Sequence, residues 1–282
     1  MISATIGVYD GIHRGHLEIL KKLKAKKGRK IVFVFHQKTQ KNLLTDIAER
    51  KEILKSLGFK VVVLEAEKIW KLSAYNFFHK FLLRKFKINR LVIGEDFVFG
   101  HKRQGTPTLL KKWCRENKIQ IEIVKLKKVK GEKISSSCIK KLLLDSRICK
   151  ANAFLGRPYS IKGTKIKGAG ISQKLGFPTV NLKIPENRLK PLGVFFGFTK
   201  VKGRNFYCLI NSGPAPVFRI KDVFEFHILK RSVNVEKQKL FEVFFLKFLR
   251  PIRKFKNRAQ LVKAVCRDIE KGSKLAQKKW IC

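Results

Sequence analysis

The chain has 282 residues, 44% of them hydrophobic, which suits one large or two modest domains with real cores and excludes disorder for the bulk of the chain. Lys and Arg number 65 against 20 Asp and Glu, a net charge of +45, yet the excess is even: +23 over residues 1–150 and +22 over 151–282. Nucleic-acid proteins more often concentrate charge in a stripe, tail or single module, so the excess reads as compositional bias toward Lys, Ile and Phe; weak polyanion binding stays open, and no specific nucleic-acid partner is expected.

The cysteines at 114, 138, 149, 208, 266 and 282 form no C-x-x-C pair, so a structural zinc site or disulfide framework is not expected, and scattered thiols suit the cytosol. The N-terminus shows no signal-peptide pattern, and no run of about 18 apolar residues exists, so no membrane partner is expected and the location read is cytoplasmic.

In chain order, Ser3–Val8 reads as a strand, and Leu17, Leu20 and Leu23 recur at threes on one face of a helix. Strands follow at Ile31–Phe35, Val61–Leu64, Leu91–Ile93 and Ile119–Val124. They alternate with helices at Asp46–Leu57, Ala74–Phe86 and Thr108–Glu116. That alternation predicts βαβ units, a parallel sheet covered on both faces, and ligands at the carboxyl ends of its strands.

The pattern changes near residue 150, where a boundary is placed: residues 1–150 form one domain and 151–282 another. Ser137–Leu144 and Lys150–Leu155 read as short helices. A Gly-rich stretch follows, then strands at Val194–Lys202, Asn205–Ile210, Val223–Leu229 and Leu240–Phe248 with turn residues between them, the spacing of a small antiparallel barrel or sandwich. Residues 257–277 form a closing helix, with Leu261, Val265 and Ile269 on one face.

Two segments carry chemistry. Residues 5–16 read TIGVYDGIHRGH, a strand entering a turn flanked by Gly7 and Gly11 and then a helix. A helix N-terminus offers free N–H groups and the positive end of its dipole to a phosphate. Gly15 leaves room for that phosphate, and His13 and His16 can both donate to it, stabilising charge at a transferring phosphoryl centre without a covalent step. Asp10 either orients the turn or contacts ligand. Residues 163–181 read GTKIKGAGISQKLGFPTVN, in which Gly163, Gly168 and Gly170 make a loop able to wrap a nucleotide.

The spacing H-x-G-H after a first strand resembles the nucleotidyltransferase superfamily. The longer string resembles the adenylyltransferase module of bacterial bifunctional riboflavin kinase/FAD synthetases. VIGEDFVFG (Val92–Gly100) and ISSSCIK (Ile134–Lys140) are similar to segments that line the nucleotide and flavin sites in that family. The resemblance implies that Asp96 and Phe97 belong to the flavin/nucleotide pocket. It further implies that Ser136 and Ser137 open a helix near the ATP phosphates and that Lys140 stands where an Arg usually binds phosphate. The chain departs from the family's F-x-P-H-P, reading Phe35-His36-Gln37-Lys38-Thr39 without either proline.

GFPTVN (Gly176–Asn181) resembles the G-x-P-T-x-N motif of riboflavin kinases. The Thr179 hydroxyl and the Asn181 amide oxygen are hard oxygen ligands suited to a Mg²⁺ bridging ATP phosphates, and the resemblance implies that Gly176 and Pro178 belong to the flavin/nucleotide pocket and Gly168 and Gly170 to the ATP phosphate site. FEFHI (Phe224–Ile228) resembles the strand that carries the family's base, which makes Glu225 the acceptor of the substrate hydroxyl proton. LGRPY (Leu155–Tyr159) and NSGPAPVF (Asn211–Phe218, with Val217 replacing a Thr) agree as well.

The resemblance implies an α/β nucleotidyltransferase domain followed by a small antiparallel β-barrel kinase domain with a C-terminal helix. Its substrates are riboflavin, FMN and ATP, with Mg²⁺, and its products FMN and FAD. Two rivals stay open: a riboflavin kinase with a degenerate first module, and a basic RNA-binding protein on an inherited fold.

Overall fold

The computed structural model describes all residues except 126, 127, 130, 169, 216–219, 231, 232 and 279–282. The chain divides into two compact units, Met1–Cys138 and Ile139–Cys282.

The first unit is a five-stranded parallel sheet in the order β3-β2-β1-β4-β5, where β1 is Ile2–Gly7, β2 Arg29–His36, β3 Lys60–Glu65, β4 Arg90–Gly94 and β5 Gln120–Val124. Side chains alternate across β2. Ile31, Phe33 and Phe35 enter one apolar cluster with Phe77, Phe78 and Leu91, while Val32 and Val34 enter a second with Leu20, Leu23 and Leu54. Both faces are therefore covered, as parallel sheets require.

Helix α1 (Arg14–Lys24) follows β1, with His13 as its N-cap. Helix α2 (Ile47–Ser56) starts on a capping box between Asp46 and Glu49. Short helices α3 (Ala66–Ile69) and α4 (Ala74–Asn76) lead into a π-helix over Phe77–Lys85, and α5 (Pro107–Glu116) precedes β5. The predicted 74–86 helix is thus mostly wound in π form.

The strand order makes β1 and β4 neighbours, paired at Ser3↔Arg90 and Ala4↔Leu91, although 82 residues separate the end of one from the start of the other. The order of winding reverses between these two parallel strands, so the turn after β1 and the segment after β4 leave the sheet side by side at its carboxyl edge. This is where open α/β sheets bind ligands. A small hairpin of β6 (Lys128–Val129) and β7 (Glu132–Lys133) follows, then α6 (Ser136–Leu144).

The second unit is a closed antiparallel barrel in the order β10-β11-β12-β9-β8-β13. Its strands are β8 (Tyr159–Ile166), β9 (Val180–Lys183), β10 (Gly193–Val201), β11 (Arg204–Ala215), β12 (Ile220–Ile228) and β13 (Leu240–Arg250). Aromatic pairs such as Phe195–Phe245 and Phe226–Phe241, at 5.1 and 5.4 Å between centroids, join buried rings of different strands. Helix α8 (Ile171–Lys174) lies between β8 and β9, and α9 (Arg258–Gln277) packs on β11.

The packing break lies ahead of the boundary placed at 150. Helix α7 (Ile148–Leu155) is pinned to the barrel: Asn152 donates to the Phe245 carbonyl and accepts from Tyr159 N, both at 2.8 Å. Ser146 also donates to the Leu192 carbonyl at 3.2 Å. These bonds bring residues 146–152 into the second unit. Gly163 differs from expectation as well, because it lies within β8 and not in a loop. A Cβ there would come within 2.5 Å of Ile184. Among the described residues no helix is long and apolar enough to cross a membrane.

Candidate active sites

The first site is the turn from Gly7 to Gly15. His13 is 5% exposed, and its Nδ1 accepts from His16 N at 3.3 Å. That assignment puts the proton of the neutral ring on Nε2, so the His13 ring is oriented as a donor on its far side. The two imidazoles stack at 3.7 Å between centroids and 16° between planes, and the Tyr9 ring leans on His16 at 4.9 Å. A Cβ on Gly15 would meet the His13 ring at 3.1 Å and on Gly7 the Tyr9 ring at 3.1 Å, so both glycines admit the rings as placed.

Of the two roles open for Asp10, the geometry favours orienting the turn. Its Oδ1 accepts from Leu44 N at 2.9 Å, Thr45 N at 3.1 Å and Arg50 Nη2 at 3.2 Å. The carboxylate is buried and directed at the protein's own donors. The Asp10 carbonyl in turn accepts from Ser136 Oγ at 2.8 Å, which brings the start of α6 to the turn. The cap of that helix is Ser135, whose Oγ accepts from Cys138 N at 3.2 Å; Ser137 is exposed, and Lys140 stands one turn further along α6, half-buried.

After β4, Phe97 packs on the larger apolar cluster and stacks on Phe99 at 5.6 Å, while Asp96 is half-exposed and pairs with Lys133 at 3.6 Å. Where the family's prolines are missing, side chains hold the chain: Lys38 N donates to Glu67 at 3.2 Å, and Gln37 donates to Thr39 Oγ1 at 3.3 Å. A cavity of about 390 Å³ in this unit is lined by Leu17, Leu20, Lys21, Lys24, Leu57 and Phe59 and includes neither histidine.

The second site is a cavity of about 470 Å³ at the barrel. Strands β9 and β12 pair Asn181 with Glu225, and β11 and β12 pair Asn211 with Glu225. The Glu225 carboxylate is thereby held from both sides: Thr179 Oγ1 donates to Oε2 at 2.7 Å and Asn211 Nδ2 donates to Oε1 at 3.2 Å. Gly168 abuts the Asn181 amide so closely that a Cβ would lie 2.2 Å from Nδ2. Gly170 and Gly176 carry φ of +71° and +86° in open space. Pro178, Thr179, Asn181 and Glu225 all line the cavity with Gly168 and Gly170.

Three further residues complete this wall. His227 Nδ1 lies 2.8 Å from the Pro178 carbonyl, fastening the loop to β12. Arg250 on β13 makes two contacts of 2.8 Å to Asp268 of α9, which is buried, and so ties the closing helix to the barrel rim. Val217 falls outside the described residues.

Comparison with known proteins agrees with both halves. Residues 1–138 match the family model for FAD synthetase and residues 155–276 the model for riboflavin kinase. The chain is 31% identical over 95% of its length to the bifunctional riboflavin kinase/FMN adenylyltransferase of Buchnera aphidicola subsp. Schizaphis graminum, 92% of which is covered. The chain belongs to the bifunctional riboflavin kinase/FMN adenylyltransferase family. The family member of Escherichia coli strain K12 is 27% identical over 94% of the chain and 89% of its own length. A crystal structure described as a macrolide-efflux protein from Streptococcus pneumoniae shares the fold across 95% of this chain and 92% of its own, with a TM-score of 0.82 at 24% identity.

Among the described residues no cluster of three or more His, Cys, Asp or Glu could hold a metal. Thr179 and Asn181 offer two neutral oxygens beside the carboxylate of Glu225. Such a set fits a Mg²⁺ that brings most of its coordination shell with it as waters and phosphate oxygens.

Proposed function

We propose that this chain makes FMN and FAD in two steps, phosphorylating riboflavin in the barrel module (151–282 by the sequence division) and adenylylating FMN in the α/β module (1–150). The observation that carries the reading is the clasp of Glu225 between Thr179 and Asn211 on the wall of the 470 Å³ cavity. A carboxylate fixed from two sides, beside a glycine loop and two hard oxygen donors, is the equipment for moving a proton off a hydroxyl while a phosphoryl group leaves ATP.

In this reading Thr179 Oγ1 and Asn181 Oδ1 would hold the Mg²⁺ of Mg-ATP, which would supply charge neutralisation at the phosphates. Glu225 accepts the proton of the ribityl 5′-hydroxyl as that oxygen attacks the γ-phosphorus, the bond from the γ-phosphorus to the β–γ bridging oxygen breaks and ADP leaves. The Thr179 hydroxyl donates to Glu225 and would present its oxygen lone pairs to the metal. Asn211 keeps its grip on Oε1, so the carboxylate holds its aim. Gly168 and Gly170 let the backbone close on the phosphates.

In the α/β module the FMN phosphate attacks the α-phosphorus of ATP in line and pyrophosphate leaves. His13 and His16 donate to the developing charge from the helix N-terminus. Asp10 shapes the turn, while Ser136, Ser137 and Lys140 serve the phosphates and Asp96 and Phe97 the nucleotide and flavin. The same reading puts the enzyme in the cytosol, supported by the free thiols of Cys114, Cys138, Cys149, Cys208 and Cys266.

The test is incubation of the purified chain with riboflavin, ATP and Mg²⁺, with flavins separated over time. FMN followed by FAD supports both modules. FMN that accumulates without FAD assigns a riboflavin kinase alone. No flavin turnover, with RNA binding that persists at physiological salt, overturns the reading.

A further inference from the structure

Three of the four positions from Tyr9 to Ile12 have positive φ: Tyr9 at +53°, Gly11 at +83° and Ile12 at +40°. Glycine takes this geometry freely. An aromatic and a β-branched residue do not, and they persist there only where the surroundings over-determine the backbone. All three belong to one site, because the same turn aims His13 and backs His16 with the Tyr9 ring.

The group that over-determines it is Arg50, 40 residues away on α2 and 1% exposed. Four contacts of its guanidinium bear on the turn and on Thr45. Nη1 donates to the Val8 carbonyl at 3.1 Å, Nη2 to Asp10 Oδ1 at 3.2 Å and to the Thr45 carbonyl at 2.8 Å, and Nε to Thr45 Oγ1 at 3.3 Å. Thr45 Oγ1 then accepts from Gly11 N at 2.8 Å. Arg50 therefore grips the chain on either side of Tyr9, and through Thr45 it reaches Gly11 as well. A planar fork with fixed donor directions can hold two such anchors at once; an ammonium cannot.

We infer that Arg50 is the positioning residue of the first site: it holds Val8 and Asp10 on either side of the left-handed Tyr9 and so fixes the imidazoles of His13 and His16. It touches neither substrate nor reacting atom in this assignment. The inference rests on the adenylyltransferase reading of the first module, and the barrel module of the same chain serves as an internal control.

The experiment uses the full chain with Arg50→Lys, which keeps the charge and loses the fork. FMN formation from riboflavin stays at the wild-type rate. For FAD formation from supplied FMN, kcat falls by about 100-fold while KM for ATP stays near the wild-type value, the signature of misplaced reacting groups rather than lost binding. The ring-current shifts that stacked His13 and His16 impose on each other's imidazole proton resonances collapse toward ordinary histidine values. If Arg50→Lys does not fold, the paired variant Arg50→Met with Asp10→Asn removes both buried charges together and is read the same way.

Wild-type kcat for FAD formation in Arg50→Lys overturns the inference, as do unchanged histidine resonances. Parallel loss of both activities with a lowered melting temperature also overturns it, since that is a merely structural role. If the wild-type chain makes FMN but no FAD, the adenylyltransferase reading fails, and the histidine resonances alone decide the role of Arg50.

Discussion

Thr179 and Glu225 lie 46 residues apart in sequence and share a hydrogen bond of 2.7 Å, with the threonine hydroxyl donating to Oε2. In the proposed reaction the two groups have separate duties: the hydroxyl oxygen would be a metal ligand, and the carboxylate accepts the substrate proton. Glu225→Gln retains the shape and the bond from Asn211, turns the Thr179 hydroxyl from donor to acceptor of the new amide N–H, and cannot accept the proton. Its kcat for FMN formation is expected to fall by roughly 10²- to 10⁴-fold, with riboflavin affinity by calorimetry little changed. Unchanged turnover would remove Glu225 from the role of base.

Each module should fail alone. Asn181→Ala is expected to abolish FMN formation while FAD formation from supplied FMN persists. His16→Ala should do the reverse, letting FMN accumulate from riboflavin. The check is a two-substrate assay of each variant; loss of both activities in either one would overturn the assignment of one reaction to each module.

Gly168 is predicted to tolerate no side chain. The added Cβ of Gly168→Ala would sit 2.2 Å from Asn181 Nδ2, so the amide must move from its place beside Glu225. The expected result is a rise in KM for Mg-ATP and a loss of kinase kcat, with adenylylation untouched. Gly170→Ala meets no atom, yet its φ of +71° strains any L side chain, so a milder kinase defect is expected.

Arg250 and Asp268 are predicted to matter for stability of the barrel. Asp268→Ala leaves Arg250 without its partner beneath α9 and should destabilise the second unit by about 3 kcal/mol, seen as a lowered midpoint in urea. Riboflavin binding should weaken with it, because both residues and the adjoining face of α9 line the cavity.

Tyr9 gives a pH prediction. Burial pushes its hydroxyl well above the ordinary value of 10.0, against a smaller lowering from its bond to Thr5. A group whose folded pKa exceeds its unfolded one contributes stability that is complete below the unfolded value and lost as pH rises beyond it. Urea midpoints measured at neutral pH and above pH 10 should therefore fall less steeply in Tyr9→Phe than in wild type. The variant also leaves the buried Thr5 hydroxyl without its 2.7 Å partner, a cost of about 1 kcal/mol at neutral pH.

The parts of this molecule that were legible in the sequence are those with local periodicity or a fixed motif. The alternation in β2 and the turn spacing of β10–β13 both point to the observed elements. Strands β8 and β9 were harder: one is interrupted by Gly163 and the other is four residues long, so neither makes a clean apolar run. The π-winding of 77–85 is invisible because Phe77, Phe78, Phe81, Leu82 and Leu83 are apolar nearly all round, and such a run has no period to read.

The same division runs through the sites. H-x-G-H and GFPTVN stand out as strings, and the carboxylate of Glu225 stands out in a chain with few acids. Arg50, Asn211, His227 and Asp268 act across 14 to 49 residues or across strands, and nothing near them in sequence marks their partners. The sequence leaves Asp10 open between two roles, since only the position of segment 43–50, the loop before α2 and its first turn, decides which way the carboxylate turns.

The clasp on Glu225 bears on how such a chain accumulates lysine. Both partners of this carboxylate among the described residues are neutral, although basic residues outnumber acidic ones by 65 to 20. A cation at contact distance would stabilise the ionised carboxylate and make it a poorer proton acceptor. Lysine should therefore be tolerated over the solvated surface but not at the two positions that touch this carboxylate, and a census of related chains of rising basicity is expected to find positions 179, 211 and 225 the last to change.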